Sequence, residues 1–134
     1  MLDLQLLCEN QEAVTENCRN RGIDVDVAAI VSLREQRSRL ITDGDALRRQ
    51  QKETSSQIPK EADAAKKQAL IAQGKELRQQ VAANEADLKE IESRLRDEQS
   101  RVPHMTHPDA PVSRDPDGSV TLRTSGEAPK CEFK

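Results

Sequence analysis

The amino-acid sequence predicts an all-α fold: a long antiparallel two-helix coiled-coil hairpin, with short N-terminal helices at its base and a mostly irregular C-terminal tail. Three observations carry this reading. Between residues 70 and 102, side chains recur in sevens along two interleaved rows: Leu70, Leu77, Asn84 and Ile91, then Val81, Leu88, Leu95 and Val102. Alternating steps of four and three keep both rows on one stripe of a helix, as a coiled-coil seam requires. A second long helical pattern precedes the first, and Pro59 separates them. Finally, Phe133 is the sole aromatic residue of the 134, charged residues make up 34%, and the mean hydropathy is -0.82. A rounded core normally leans on aromatic rings for buried area, whereas a long exposed helix pair does not.

The elements follow in order. Leu2, Leu4, Leu6 and Leu7 form a short apolar cluster suited to one brief helix. Asn10 is expected to cap a second helix, in which Val14 and Cys18 share a face. Gly22 supplies its left-handed stop. Asp24 or Asp26 caps the first long helix, on one face of which Ile30, Leu33, Leu40, Leu47 and Ile58 recur, with Leu33, Leu40 and Leu47 in a row of sevens. The companion row is poorer, with Arg37, Gly44 and Gln51. Residues 58–67 form the reversal, and the second long helix begins near 61–65 and ends near Arg101, before Pro103. A short reversal makes the helices antiparallel neighbours roughly 45 to 60 Å long at 1.5 Å per residue. The helical arm thus covers 1–102, with the hairpin at about 26–102. Gly44 and Gly74 lie inside it, where glycine costs roughly 1 kcal/mol relative to alanine, and a softer or kinked arm is expected there.

Residues 103–134 read as a proline-rich linker. Asp115-Pro116-Asp117-Gly118 is a turn, and Ser119–Arg123 has the composition of one short strand. No run of about 18 apolar residues is present, so no membrane-spanning helix is expected. The start lacks the pattern of a signal peptide. Three scattered cysteines, Cys8, Cys18 and Cys131, make no disulfide framework and fit a reducing cytoplasm. Cys8 and Cys18 read as small apolar residues at the base.

Charge is unevenly placed. Between Arg34 and Arg78 stand 11 basic and 7 acidic residues, a local balance of +4, whereas the remainder is -7 and the total -3. A rod with a positive outer half can lie along a phosphate backbone and release its counterions. The alternative is a solvated, salt-bridge-laced face, as in a protein-interaction or scaffold coiled coil with no RNA role. Without aromatic rings on which to stack bases, nucleic-acid contact would be to backbone and shape, which suits double-helical RNA.

The order of several short segments resembles the N-terminus of bacterial seryl-tRNA synthetases. They are Met1-Leu2-Asp3-Leu4 to Glu9-Asn10, Ala13-Val14, Arg21-Gly22, the exit Val102-Pro103-His104, and His107-Pro108-Asp109-Ala110-Pro111-Val112. The closing Gly126-Glu127-Ala128-Pro129-Lys130 is similar to the linker before that family's catalytic domain. The resemblance implies a tRNA-binding arm that grips the long variable arm of serine tRNA, with selenocysteine tRNA as a second candidate. It also implies a cytoplasmic, homodimeric, ATP-dependent class II ligase as the parent enzyme. ATP and Mg belong to its catalytic domain, for which this sequence has no motifs. The chain alone is therefore expected to bind no cofactor, to activate no serine and to be a monomer.

This sequence departs from the family pattern at Cys8, where arginine is usual, at Ser125 for tryptophan, and at Cys131 for an aromatic residue. The candidate RNA contacts are Arg34, Arg37, Arg48, Arg49, Lys52, Lys60, Lys66, Lys67, Lys75 and Arg78. Arg37 falls on the seam, where its stem packs and its head reaches outward. Asn84 reads as a polar residue that sets register. His104, His107 and Cys131 are too few for a zinc site, and a calcium loop opening at Asp115 would need glutamate at its twelfth position, where Gly126 stands.

Overall fold

The computed structural model describes residues 1–113 and 115–126. The linker segment 127–130 and Cys131 lie outside the described residues. Among the described residues four α-helices follow in order: α1 (Leu4–Glu9), α2 (Gln11–Asn20), α3 (Val27–Gln57) and α4 (Ala64–Arg101). No β-strand occurs among the described residues. At 1.5 Å per residue, α3 is about 46 Å long and α4 about 57 Å.

Aspartates start three of the helices. The Asp3 carboxylate accepts from the amides of Gln5 (2.9 Å) and Leu6 (3.1 Å). Asp26 accepts from Ala29 (3.0 Å), and Asp63 from Ala65 (2.8 Å) and Lys66 (3.4 Å). Each satisfies amide hydrogens that a first helical turn leaves without partners. Asn10 occupies the expected cap position of α2 but does not cap it. Its Nδ2 donates back to the Leu6 carbonyl at 3.1 Å, closing α1 instead. Gly22, at φ +66°, ends α2 as expected, and the Ile23 amide donates to the Cys18 carbonyl (2.9 Å).

At the far end, α3 tightens into a 3-10 turn, Ile58–Lys60, containing Pro59. The chain then reverses through Glu61, whose carboxylate accepts from the Asp63 amide at 3.1 Å. Helices α3 and α4 pack along their length, and α1 and α2 lie at the base. Both long helices run without interruption through Gly44 and Gly74. Gly44 is buried: a Cβ there would come within 2.6 Å of Asn84 Oδ1. A Cβ on Gly74 would meet Thr54 Cγ2 at 3.9 Å, an ordinary contact. Both approaches define the same register. It sets Leu33 opposite Leu95, Leu40 opposite Leu88 and Leu47 opposite Val81.

Burial is graded along the arm. Leu2, Leu7, Val14, Cys18, Val27, Ile30, Leu33, Ile91, Leu95 and Val102 make one core at the base. Leu7, Val14 and Ile30 are wholly enclosed there, each worth roughly 1.5–3 kcal/mol of burial. Beyond Leu40 the seam thins to Gly44, Thr54 and Leu77 as its buried members. Cys18 belongs to the base core, and burial pushes its thiol up, against a smaller opposing pull from Arg21. Cys8 packs beside the same core.

The tail leaves the base by way of a polar clamp. Asn17, 7% exposed, donates from Nδ2 to the His104 carbonyl (3.2 Å) and accepts at Oδ1 from the Thr106 amide (3.0 Å). Arg21 donates to the same carbonyl at 3.0 Å. Gln99 donates to the Leu2 carbonyl (2.8 Å) and Arg101 to that of Asp24 (2.9 Å), tying α4 to the N-terminal segment. Further on, Pro116–Gly118 forms a 3-10 turn that Asp115 caps through the Asp117 amide (3.1 Å). The strand expected at Ser119–Arg123 is absent: the segment is exposed and has no strand to pair with among the described residues.

Asn17→Ala should destabilise the fold by about 1–2 kcal/mol, because the Thr106 amide loses its partner and the His104 carbonyl keeps only Arg21. Urea unfolding checks this, and a loss under about 0.5 kcal/mol would contradict the clamp. Gly74→Ala should stabilise by about 1 kcal/mol from helix propensity alone. Gly44→Ala should gain less, since Asn84 must swing aside, and should recover the difference in an Asn84→Ala background. Equal gains in the unmodified background would remove the proposed close fit.

Candidate nucleic-acid interface

Eight of the ten candidate cations occupy the outer half of the arm, and Arg34 and Arg37 stand beside the base core. Arg34, Arg37, Arg48, Arg49 and Lys52 project from α3, Lys60 lies in the 3-10 turn, and Lys66, Lys67, Lys75 and Arg78 project from α4. All but Arg37 are exposed. The structure divides them by what each one touches.

Two are engaged across the hairpin. Arg37 Nε donates to Glu92 Oε1 at 2.9 Å, with its side chain 43% exposed. Its stem thus covers the seam while its head reaches a carboxylate of α4, the arrangement expected for a cation in that row. Arg48 Nη2 donates to Glu85 Oε1 at 2.9 Å, and Nη1 lies 3.5 Å from Asp45 Oδ1. The hydrogen bond to Glu85, and then its charge, hold the Arg48 guanidinium still more firmly protonated than usual. Both pairs are half exposed, so they orient the helices more than they stabilise them.

The other eight have no carboxylate within 4.0 Å among the described residues. Arg49 is separated from Arg48 by about 100° around α3, so the two neighbours in sequence do not share a face. Sequence reasoning missed Glu85 and Glu92 as partners. Each follows a seam residue, Asn84 or Ile91, by one position, so the register would have revealed them.

The clefts along the hairpin are open grooves. One is lined by Gln36, Arg39, Leu40, Asp87, Glu90 and Ile91. His107 Nδ1 accepts from the Asp109 amide at 3.2 Å, a local turn contact. No cluster of three or more His, Cys, Asp or Glu side chains is placed to hold a metal ion among the described residues. No helix among them is long and apolar enough to cross a membrane.

The class of molecule is therefore a two-helix antiparallel arm with a buried base and a cation-bearing outer half. Residues 1–106 match the seryl-tRNA synthetase N-terminal domain family, and the chain belongs to that family. It is 42% identical over 134 residues to the serine–tRNA ligase of Rubrobacter xylanophilus, covering 100% of this chain and 32% of that protein. The corresponding ligase of Treponema denticola is 32% identical over the same span, with the same coverage. The chain thus spans about a third of the length of these curated relatives. The fold is also shared with the crystal structure of seryl-tRNA synthetase from Pyrococcus horikoshii complexed with ATP, at a TM-score of 0.74 and 24% identity. That match covers 87% of this chain and 27% of that one.

Glu85→Lys turns the cross-hairpin attraction at Arg48 into repulsion. The melting temperature should fall at low salt, and the deficit should shrink at 1 M salt as screening takes over. A deficit independent of salt would contradict the electrostatic role of this pair.

Proposed function

We propose that this chain is the tRNA-binding arm of a serine–tRNA ligase, gripping the long variable arm of serine tRNA through backbone and shape. Its role is to deliver that tRNA to a class II catalytic domain for serylation. Membership of the N-terminal domain family, together with an outer arm that carries cations and no aromatic ring, supports this reading. Lysine and arginine neutralise phosphates, while the absence of rings leaves no platform for unstacked bases. A long variable arm is a double-helical feature, and a thin rod can lie along it.

In the whole enzyme, ATP and Mg would be held by the part of the relatives that this chain does not span. No residue here is assigned to them. The complete protein would act in the cytoplasm as a homodimer, and the 134-residue chain alone as a monomer. Selenocysteine tRNA, if it carries a similar long arm, would be a second ligand.

Gel-shift titration with serine tRNA, with and without its variable arm, tests the proposal. Binding should be lost on deleting the arm and should weaken steeply with salt. Equal binding to both RNAs would mean nonspecific charge. No binding to either would leave a protein-interaction coiled coil.

A further inference from the structure

The two flanks of the hairpin differ in charge. The ion pairs Arg48–Glu85 and Arg37–Glu92 cross from α3 to α4 on one flank. The groove containing Gln36, Leu40, Asp87 and Ile91 marks the opposite one. Residues three or four apart on a helix lie side by side, so Lys52 continues the first flank from Arg48. On α4, Arg78 precedes Glu85 by one heptad and stands in the same row, with Lys75 beside it.

The register set by Gly44 against Asn84 and Thr54 against Gly74 fixes their heights. Arg78 lies level with residue 50 of α3, and Lys75 level with residue 53. Arg48, Lys52, Lys75 and Arg78 therefore fall within about 8 Å along the arm. The opposite flank at that level carries the carboxylates of Glu53 and Glu76 and the amides of Gln50, Gln73 and Gln80. Each of these residues is exposed. The arm is thus positive on one side and negative on the other at a single height.

Two like-charge neighbours, Arg48 with Lys52 and Lys75 with Arg78, lie at spacings that destabilise an isolated helix. Only Arg48 has carboxylates to offset it. Lys52, Lys75 and Arg78 have none within 4.0 Å among the described residues. An outside polyanion would relieve that repulsion.

We propose that the arm binds RNA by this one flank: Lys52, Lys75 and Arg78 contact phosphates of a double-helical segment, and Arg48, held by Glu85, positions the patch. The inference rests on the RNA-binding reading and refines it. Of the ten candidates, Lys66 projects from the groove side and Arg49 from the back of α3, and neither belongs to the patch. The carboxylates of Glu53 and Glu76 repel RNA from the other side, so the complex has a defined face.

Two triple variants of the 134-residue chain test this, each removing three positive charges. One carries Lys52→Gln, Lys75→Gln and Arg78→Gln; the other carries Arg39→Gln, Lys66→Gln and Arg94→Gln on the groove side. Affinity for a serine tRNA transcript is measured across a salt series, with helix content checked by circular dichroism. The first triple should lose at least about tenfold in affinity at 0.15 M salt and reduce the salt slope by two or three. The second should lose no more than about threefold. Equal losses, or a larger loss in the second, would overturn the one-flank inference while leaving RNA binding intact. No binding by the unmodified chain would instead remove the RNA reading, and this inference with it. Should the first triple lose helix, the three single variants replace it; each should then reduce the salt slope by about one, and unchanged slopes would overturn the inference.

Discussion

The shared seam between α3 and α4 is the constraint on which the rest of the structure depends. A rod two helices thick has little interior, so apolar side chains must meet partners across one stripe or remain in water. Near the base that stripe merges with α1 and α2 into a dry core around Leu7, Val14 and Ile30. Farther out it is thin, and Gly44 meets Asn84 there, whose Oδ1 fills the space a Cβ at position 44 would take. Register then decides which charges stand side by side. The meeting of Arg48 with Glu85 and of Arg37 with Glu92 follows from it.

The gradient in burial has a mechanical meaning. A base anchored by Asn17, Gln99 and Arg101 holds the entry and exit of the arm together, with the chain leaving α4 pinned against α2. The outer half has fewer buried contacts and a charged surface. Segments of this kind open locally at lower free-energy cost than a core does. A limb that is firm at the root and looser toward the tip would suit the proposed reach along an elongated RNA. Membership of the seryl-tRNA synthetase N-terminal domain family gives that reach a context.

Much of the architecture was legible in the sequence because its signals are local. The α4 rows, the break at Pro59, the stop at Gly22 and an aspartate cap at 24 or 26, which the structure places at Asp26, each act within a few residues of where they are read. Readings that needed tertiary information fared less well. Asn10 has the right position for a cap, yet its side chain finds the Leu6 carbonyl instead. Ser119–Arg123 has strand-like composition, but a strand requires a partner and the described residues offer none. Gly44 looked like a weak point; its neighbour Asn84, forty residues away, makes it a packing position. At the candidate interface the residue types were readable from composition. Their division into paired and unpaired cations was not, because it depends on the facing helix.

Oxidative cross-linking of cysteines placed across the outer seam tests the account most directly. Thr54→Cys with Gly74→Cys puts two thiols at facing positions, whereas Thr54→Cys with Lys67→Cys offsets them by one heptad, about 10 Å along the arm. Such an offset is too great for a disulfide without backbone movement. Peptide mapping after mild oxidation should find an efficient intramolecular 54–74 bond and little 54–67 bond. Comparable yields from both pairs, or none from the facing pair, would mean that the outer helices do not share the register from which the charge arrangement follows.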